Sequence, residues 1–193
     1  MKGIIFLFLI WPCSLFPQGE WNQWRFGYFT GLDFNSLPPV PVSNCAMFCS
    51  GAPVTVSDSI GALLFYSDGY DVWNKNNVFM TNGTLLYNCS GNSQPCFTIP
   101  NLTDPLKYYL FTLGSYNWPP YPQGLYYSVI DMSLSGGLGA VVPGMKNITV
   151  PNTQNTCNWF TGTRSNDNKG VWLVVRNISP NSYLSYKITE TGL

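Results

Sequence analysis

The sequence predicts an all-β protein of antiparallel sheets, and three observations support this prediction. Short apolar runs alternate with turns rich in Gly, Asn, Ser and Pro. Only 9% of the 193 residues are charged, whereas helices favour Glu, Lys and Arg. No segment sustains the apolar period of about 3.6 residues that marks an amphipathic helix. We therefore expect almost no helix.

The strongest local signal is a hairpin within residues 63–73. Residues 63–66 form an apolar run, Asp68-Gly69 follows it, and Val72-Trp73 resumes the apolar pattern. Gly accepts positive φ and Asp tolerates the turn, so an Asp-Gly pair between two apolar runs predicts a tight reversal. Weaker versions of this unit recur downstream.

The recurrence predicts repeated sheets. Residues 97–132 and 156–191 each read as a further strand–turn–strand unit, with central strands marked by Leu64-Phe65, Leu110-Phe111 and Leu173-Val174. The repeat is close to the roughly 40 to 50 residues of a propeller blade. The sequence thus predicts about three propeller-like blades, an incomplete propeller because closure needs more blades. Residues 37–42, LPPVPV, are predicted to be a connector outside any sheet.

The N-terminus has the pattern of a signal peptide. Lys2 precedes an apolar run at residues 4–11 that is too short to span a bilayer. We assign residues 1–18 to this signal, with cleavage between Ser14 and Gly19, and residues 19–193 to one propeller-like domain. The alternative is a buried first strand. The signal predicts a secreted or outer-surface location and no further membrane helix.

Export makes disulfides chemically possible. Cys89 and Cys96 flank a short turn and could clamp it, whereas Cys45 and Cys49 could pair with each other or with another loop. Loss of Cys13 with the signal would leave an odd number of cysteines. A metal site is the less favoured interpretation, since the chain has no histidine and no CxxC pair.

Composition excludes several functions. The absence of histidine removes the commonest general base and excludes Ser-His-Asp and Cys-His machinery within this chain. The net charge is zero and the nine Lys and Arg residues are scattered, which argues against nucleic acid as a partner. We predict no cofactor and no enzymatic activity.

Two groups of residues are candidate sites. Asp58, Asp68 and Asp71 form a weak calcium candidate, and ordinary turn chemistry is the favoured explanation. A loop rich in Pro and Tyr carries aromatic side chains that could stack on sugars or protein partners, or pack inward as core. Its candidate ligand-binding residues are Tyr116, Trp118 and Tyr121.

The order and spacing of several motifs resemble the N-terminal β-propeller-like region of secreted Bacteroidota surface proteins. The match covers roughly residues 21–193 and is weakest over 152–168, where this chain has Asn155-Thr156-Cys157 and the family usually has a Glu-Lys pair and a histidine. The motifs are Trp24-Arg25-Phe26-Gly27, Gly31-Leu32-Asp33-Phe34, Leu64-Phe65-Tyr66-Ser67-Asp68-Gly69, Val72-Trp73-Asn74, Tyr127-Ser128 with Asp131-Met132, and Gly137-Leu138-Gly139.

The resemblance implies a part of a longer protein. In that family the region often precedes immunoglobulin-like modules and a type IX sorting or gliding-motility-associated C-terminal domain. The expected function is a non-catalytic binding and scaffold module, with glycans, surface proteins and the remaining blades and C-terminal domains as partners. The alternative is a carbohydrate-active propeller fragment, a glycoside hydrolase or lyase that uses paired aspartates.

Overall fold

The computed structural model describes residues 19–88, 94, 96–114 and 123–193, apart from the side chains of Cys157 and Asn158. Within these ranges the protein is all-β, as predicted, with fourteen strands, two short 3-10 turns at Gly19–Trp21 and Ser135–Gly137, and no α-helix. No helix in the described ranges is long and apolar enough to cross a membrane.

The strands form four antiparallel sheets in chain order, and each strand of a sheet pairs mainly with its neighbours in sequence. Sheet 1 contains β1 (Gln23–Phe26), β2 (Thr30–Asp33) and β3 (Val40–Val42). Sheet 2 contains β4 (Val54–Ser57), β5 (Leu63–Ser67) and β6 (Val72–Asn74). Sheet 3 contains β7 (Cys96–Pro100), β8 (Lys107–Gly114), β9 (Gly124–Asp131), β10 (Ala140–Val141) and β11 (Ile148–Thr149). Sheet 4 contains β12 (Thr156–Arg164), β13 (Val171–Asn177) and β14 (Ser182–Ile188).

The predicted hairpin and the three predicted central strands are confirmed. Ser67 of β5 pairs with Val72 of β6 around a turn in which Gly69 has a φ of +89°. The side chain of Asp68 accepts hydrogen bonds from the backbone N–H groups of Tyr70 and Asp71, both at 2.8 Å. The strands β5, β8 and β13 each have a partner on both sides.

The prediction for residues 37–42 was wrong in part. Residues Val40–Val42 form β3, in which Pro41 lies opposite Leu32 of β2. Proline is tolerated there because β3 lies at the edge of sheet 1, where a missing N–H need not disrupt a second ladder. The described chain has four sheets rather than about three units, because β1, β2 and β3 form a sheet of their own ahead of the predicted units.

The core consists of three buried clusters, and two of them join neighbouring sheets face to face. Cluster 1 packs the loop after sheet 1 onto sheet 2 and contains Cys45, Met47, Cys49, Tyr66 and Trp73. Cluster 2 lies between sheets 2 and 3 and contains Phe65, Val72, Met80, Leu86, Cys96, Tyr108, Leu110, Ile130, Met132 and Val141. Cluster 3 lies between sheets 3 and 4 and contains Ile99, Phe111, Leu113, Leu125, Val150, Phe160, Val171, Leu173, Val175 and Ile188.

The side-chain alternation of a strand explains this stacking. Phe65 and Tyr66 are adjacent on β5 and enter clusters 2 and 1, while Leu110 and Phe111 are adjacent on β8 and enter clusters 2 and 3. Successive residues of a strand point to opposite faces, so sheets 2 and 3 are buried on both sides. Within the described residues, no further sheet covers the outer face of sheet 1 or of sheet 4.

We predict that truncating either side of β8 destabilises the protein. Leu110→Ala is expected to lower the unfolding free energy by about 2–5 kcal/mol and Phe111→Ala by about 3–5 kcal/mol, because each leaves a cavity in a different cluster. Denaturant unfolding of the purified chain measures both. Ile60→Ala is the control, since Ile60 is 75% exposed and its loss should change the free energy by less than about 0.5 kcal/mol. A change of that small size in either β8 variant would contradict the two-sided burial.

Candidate functional site: an aromatic groove beside the first sheet

A groove of about 470 Å³ lies along β1, between sheet 1 and the segment that leads into β4. It is formed by residues far apart in the sequence, because β1 meets β4 through the Arg25 N–H, which donates to Thr55 Oγ1 at 2.8 Å. The lining is mostly apolar and consists of Glu20, Trp21, Gln23, Trp24, Arg25, Phe26, Gly51, Ala52, Pro53 and Thr55.

The polarity of β1 is the reverse of that usual for a half-buried strand. Gln23 and Arg25 are buried against sheet 2, whereas the aromatic side chains of Trp24 and Phe26 face outward and are 49% and 38% exposed. Strands packed on one face ordinarily turn their apolar residues inward. Sheet 1 therefore presents aromatic rings to solvent on the side away from the core.

Trp24 is held in place although it is half exposed. Its indole Nε1–H donates to the Trp21 carbonyl at 2.9 Å, and its ring lies 5.0 Å from that of Phe34, centroid to centroid. Trp21 itself is 76% exposed. A fixed ring loses little conformational freedom on contact with a ligand, so more of the contact free energy goes into binding.

Arg25 is a buried cation whose hydrogen-bonding capacity is only partly used. Its side chain is 8% exposed, its Nη1 donates to the Trp24 carbonyl at 3.2 Å, and its Nε has no partner. Desolvation lowers the pKa of Arg25, an effect that nearby Cys45, Tyr66 and Asp33 oppose. Within the described ranges no carboxylate lies within ion-pair distance of it. A guanidinium nonetheless remains protonated in proteins, so this site holds an unpaired positive charge.

A second exposed aromatic group extends sheet 1 at the β1–β2 turn. The Phe48 ring lies 4.4 Å from Tyr28 and 5.7 Å from Phe29, centroid to centroid, and all three rings are at least half exposed. The Phe29 N–H donates to the Met47 carbonyl at 2.9 Å, which ties the turn to cluster 1. Exposed aromatic side chains therefore occur both in the groove and at this turn.

The sequence-predicted aromatic site and the groove are different places. Tyr116, Trp118 and Tyr121 lie outside the described residues, and their role stays a prediction. The groove is not predicted from the sequence, because the residues around Trp24 indicate only a strand. The available signal was the alternation Gln-Trp-Arg-Phe at positions 23–26, in which polar and aromatic residues occupy opposite faces.

The carboxylates of the calcium candidate are used in turns. Asp58 Oδ1 accepts the N–H groups of Ile60 and Ala62 at 3.0 and 2.9 Å, Asp68 closes the hairpin turn, and Asp71 Oδ1 accepts the Leu85 N–H at 3.2 Å. In the part of the chain that the structure describes, no three His, Cys, Asp or Glu residues form a group that could hold a metal ion. These three aspartates do not converge on one point.

Turn formation accounts for nearly all the aspartates of the chain. Six of the seven accept the backbone N–H of the residue two positions later, as Asx turns do. The pairs are Asp33 with Asn35, Asp58 with Ile60, Asp68 with Tyr70, Asp104 with Leu106, Asp131 with Ser133, and Asp167 with Lys169. These carboxylates are positioned by their own turns rather than by a shared site.

Asp68 and Asp71 come nearest to the paired aspartates of a hydrolase. Burial is the main cause that raises the pKa of each, and the charge of Asp68 further raises that of Asp71. By contrast, the hydrogen bond from Lys107 lowers the pKa of Asp104, and that from Ser165 is the main cause that lowers the pKa of Asp167. Raised carboxyl pKa values suit a general acid, but backbone donors already occupy both side chains.

The cysteines differ from the disulfide predictions. Cys45, Cys49 and Cys96 are buried free thiols, so the local Cys45–Cys49 pair that the sequence allows is not formed. Cys96 Sγ donates to the Ser67 carbonyl at 3.5 Å. Desolvation raises the pKa of Cys49 and of Cys96, which makes these thiols poor nucleophiles at neutral pH. Cys89 and the side chain of Cys157 lie outside the described part.

Comparisons with protein-family models, with curated proteins and with solved structures found no match for this chain. The groove and its chemistry are therefore the basis on which its function is inferred.

We predict that the charge on Asp68 opposes folding. A carboxyl group whose pKa is raised in the folded state favours its protonated form there. The protonated Asp68 side chain therefore contributes to the free energy of unfolding below the carboxyl pKa of the unfolded state. This contribution is lost as the pH rises through the raised pKa of the folded state. Asp68→Asn removes this loss, so the variant should gain stability relative to the wild type as the pH is raised from about 3 to 7. Urea unfolding at several pH values measures the difference. A relative loss at pH 7 would show that the carboxylate stabilises the turn.

We also predict that the three buried thiols react only after unfolding. Brief alkylation of the native chain at neutral pH, followed by peptide mapping, should leave Cys45, Cys49 and Cys96 unmodified. Alkylation in denaturant without reductant should then modify all three, because they are free thiols. Modification of any of them only after reduction would reveal a disulfide, and rapid native labelling would contradict their burial.

Proposed function

We propose that this chain is an exported, non-catalytic binding and scaffold module, with sheets arranged as propeller-like blades, in a secreted or surface protein of the Bacteroidota type. The succession of the sheets supports the arrangement, since each has at least three antiparallel strands and buried clusters join sheet 2 to sheet 3 and sheet 3 to sheet 4. Repeated sheets with this connectivity are the units of a propeller. The N-terminal signal pattern supports export.

The observation that carries the binding role is the aromatic groove along β1. Trp21, Trp24 and Phe26 expose apolar ring surface beside a cleft of about 470 Å³. Exposed apolar surface of this kind marks interaction sites more often than chance. The ligand would present a flat apolar face, either a sugar ring or an apolar side chain of a surface protein, and each stacking ring would contribute on the order of 1 kcal/mol.

The carboxylates support a non-catalytic role. Six of seven aspartates are committed to Asx turns, and the chain has no histidine to serve as general base. The raised pKa values of Asp68 and Asp71 favour the second candidate, a carbohydrate-active module. Release of reducing ends from a polysaccharide panel, abolished by Asp68→Asn or Asp71→Asn, would favour that enzyme.

We predict that Trp24→Ala weakens ligand binding about five- to tenfold, which corresponds to about 1 kcal/mol of lost stacking. Pull-down on insoluble polysaccharides and on surface-protein extracts identifies a ligand, and titration calorimetry measures its affinity. Phe79→Ala is the matched control, because Phe79 is an exposed aromatic residue away from the groove. Its affinity should equal that of the wild type.

Thermal unfolding separates binding from structure in the same variants. Trp24→Ala should shift the melting temperature less than Phe111→Ala, because Trp24 is half exposed and Phe111 is fully buried. A collapse of stability would assign the groove to the core. The triple variant Tyr116→Ala, Trp118→Ala, Tyr121→Ala tests the predicted loop site in parallel. If no variant in either place changes binding, the proposed binding role is wrong.

A further inference from the structure

The outer face of sheet 4, which no other sheet of the described residues covers, carries a second surface that is chemically distinct from the groove. Its outward residues form three cross-strand rows. The strand register defines the second row as Thr161, Val174 and Ser185, and the third as Thr163, Trp172 and Lys187. Arg176 lies opposite Tyr183, and the Arg176 guanidinium sits over the Trp159 ring, which completes the first row. We propose that this face, here called the outer grid, binds a carboxylate-bearing polysaccharide.

The first and third rows each pair an aromatic ring with a cation. Arg176 Cζ lies 4.9 Å from the centre of the Trp159 ring, and Lys187 Nζ lies 5.6 Å from that of Trp172. Such cation–π contacts hold both partners in a defined geometry. Trp159 is 59% exposed and Tyr183 72% exposed. The first row therefore offers exposed aromatic surface at Tyr183 and Trp159, for contact with the C–H face of a sugar, beside the Arg176 guanidinium. The third row places the Trp172 ring beside Lys187.

The middle row forms the floor of a shallow trough. Thr161, Val174 and Ser185 are small, whereas the rows on both sides carry Trp, Tyr, Arg and Lys. Side chains stand roughly perpendicular to a sheet, so the larger rows rise as walls across the strands. Trp172 and Arg176 are four residues apart on β13, which at about 3.3 Å per residue separates the walls by about 13 Å. The hydroxyl groups on the floor can exchange hydrogen bonds with sugar hydroxyls.

The charge of sheet 4 favours an anionic ligand. The whole chain has no net charge, yet residues 156–193 contain four cations, Arg164, Lys169, Arg176 and Lys187, against two carboxylates, Asp167 and Glu190. Lys187 is paired with Asp167 at 3.1 Å. Among the described residues, Arg176 donates to Asn181 Oδ1 at 3.5 Å, and no carboxylate lies within ion-pair distance of it. Arg176 is accordingly the principal contact for the ligand's carboxylate.

The same charges disfavour two other occupants. A second copy of this chain docked grid to grid would bring like charges together, which costs free energy at an interface. A nucleic acid would require a denser row of cations along its phosphates than two side chains on different strands provide. Aromatic rings, hydroxyl groups and a few cations on one flat face instead fit a linear chain of uronic acid residues.

The test measures the binding of polygalacturonate to residues 19–193. The control ligand is fully methyl-esterified pectin, which has the same sugar backbone but no free carboxylates. We expect polygalacturonate to bind and the ester to bind at least tenfold more weakly, with affinity falling as salt rises. Arg176→Gln should weaken binding on the order of tenfold or more, since it removes a charge-assisted hydrogen bond. Trp159→Ala should weaken it severalfold.

Matched controls make the result decisive. Arg164→Gln removes the same charge from the same sheet but from outside the outer grid, and should leave the affinity within twofold. Phe79→Ala should leave it unchanged, because Phe79 is an exposed aromatic residue outside sheet 4 and outside the groove. Thermal unfolding of every variant should show that the fold is kept. If Trp159→Ala unfolds the chain, Arg176→Gln alone decides the outcome.

Several outcomes would overturn the inference. Equal binding of polyglutamate would show ion exchange rather than sugar recognition. Binding of dextran sulfate without binding of polygalacturonate would contradict a carboxylate ligand. Equal losses in Arg164→Gln and Arg176→Gln would show that net charge, not the outer grid, is responsible. Self-association that Arg176→Gln alters would assign the face to a contact between copies, and absence of polygalacturonate binding would refute the proposal outright.

Discussion

The structure depends on the burial of both faces of its two middle sheets. On β5 and again on β8, two adjacent large side chains enter different cores, Phe65 and Tyr66 in one strand and Leu110 and Phe111 in the other. A strand places successive residues on opposite faces, so a single pair of neighbours joins three sheets. This arrangement also explains the low charge of the chain, because a sheet covered on both sides has almost no position at which an ionised side chain is hydrated.

Polar side chains consequently concentrate in the turns, where they accept hydrogen bonds from the backbone. Aspartates and asparagines accept backbone N–H groups that no strand pairs, and Asp68 does so inside a hairpin where burial raises its carboxyl pKa. The hydroxyl of Tyr66 has a similar structural role in the core. It accepts the Ala46 N–H at 3.0 Å and donates to Asn77 Oδ1 at 2.9 Å. Buried polar groups must find such partners, and here they link loops to sheets.

The outer faces of sheets 1 and 4 differ because different residues occupy the outward positions of their strands. Sheet 1 turns Trp24 and Phe26 outward and buries Arg25, whereas sheet 4 turns Arg176 and Lys187 outward beside Trp159 and Trp172. Between sheets 3 and 4 the Phe97 ring packs against the backbone of Gly162, where a Cβ would lie 2.8 Å from Phe97 Cε1. The outer face of sheet 4 is thus carried on a rigid, well-packed support, as precise recognition requires.

The class of fold, the Asp68-Gly69 hairpin and the central strands of three sheets are predictable from the sequence, because turn chemistry and apolar runs act over a few residues. The sequence does not reveal β3, since Pro41 argues against a strand unless its edge position is known. Nor does it reveal the groove, which joins β1 to residues 51–55, or the inverted faces of β1. Periodicity tells which residues share a face, but only the packing of one sheet on another decides which face is buried and which meets solvent.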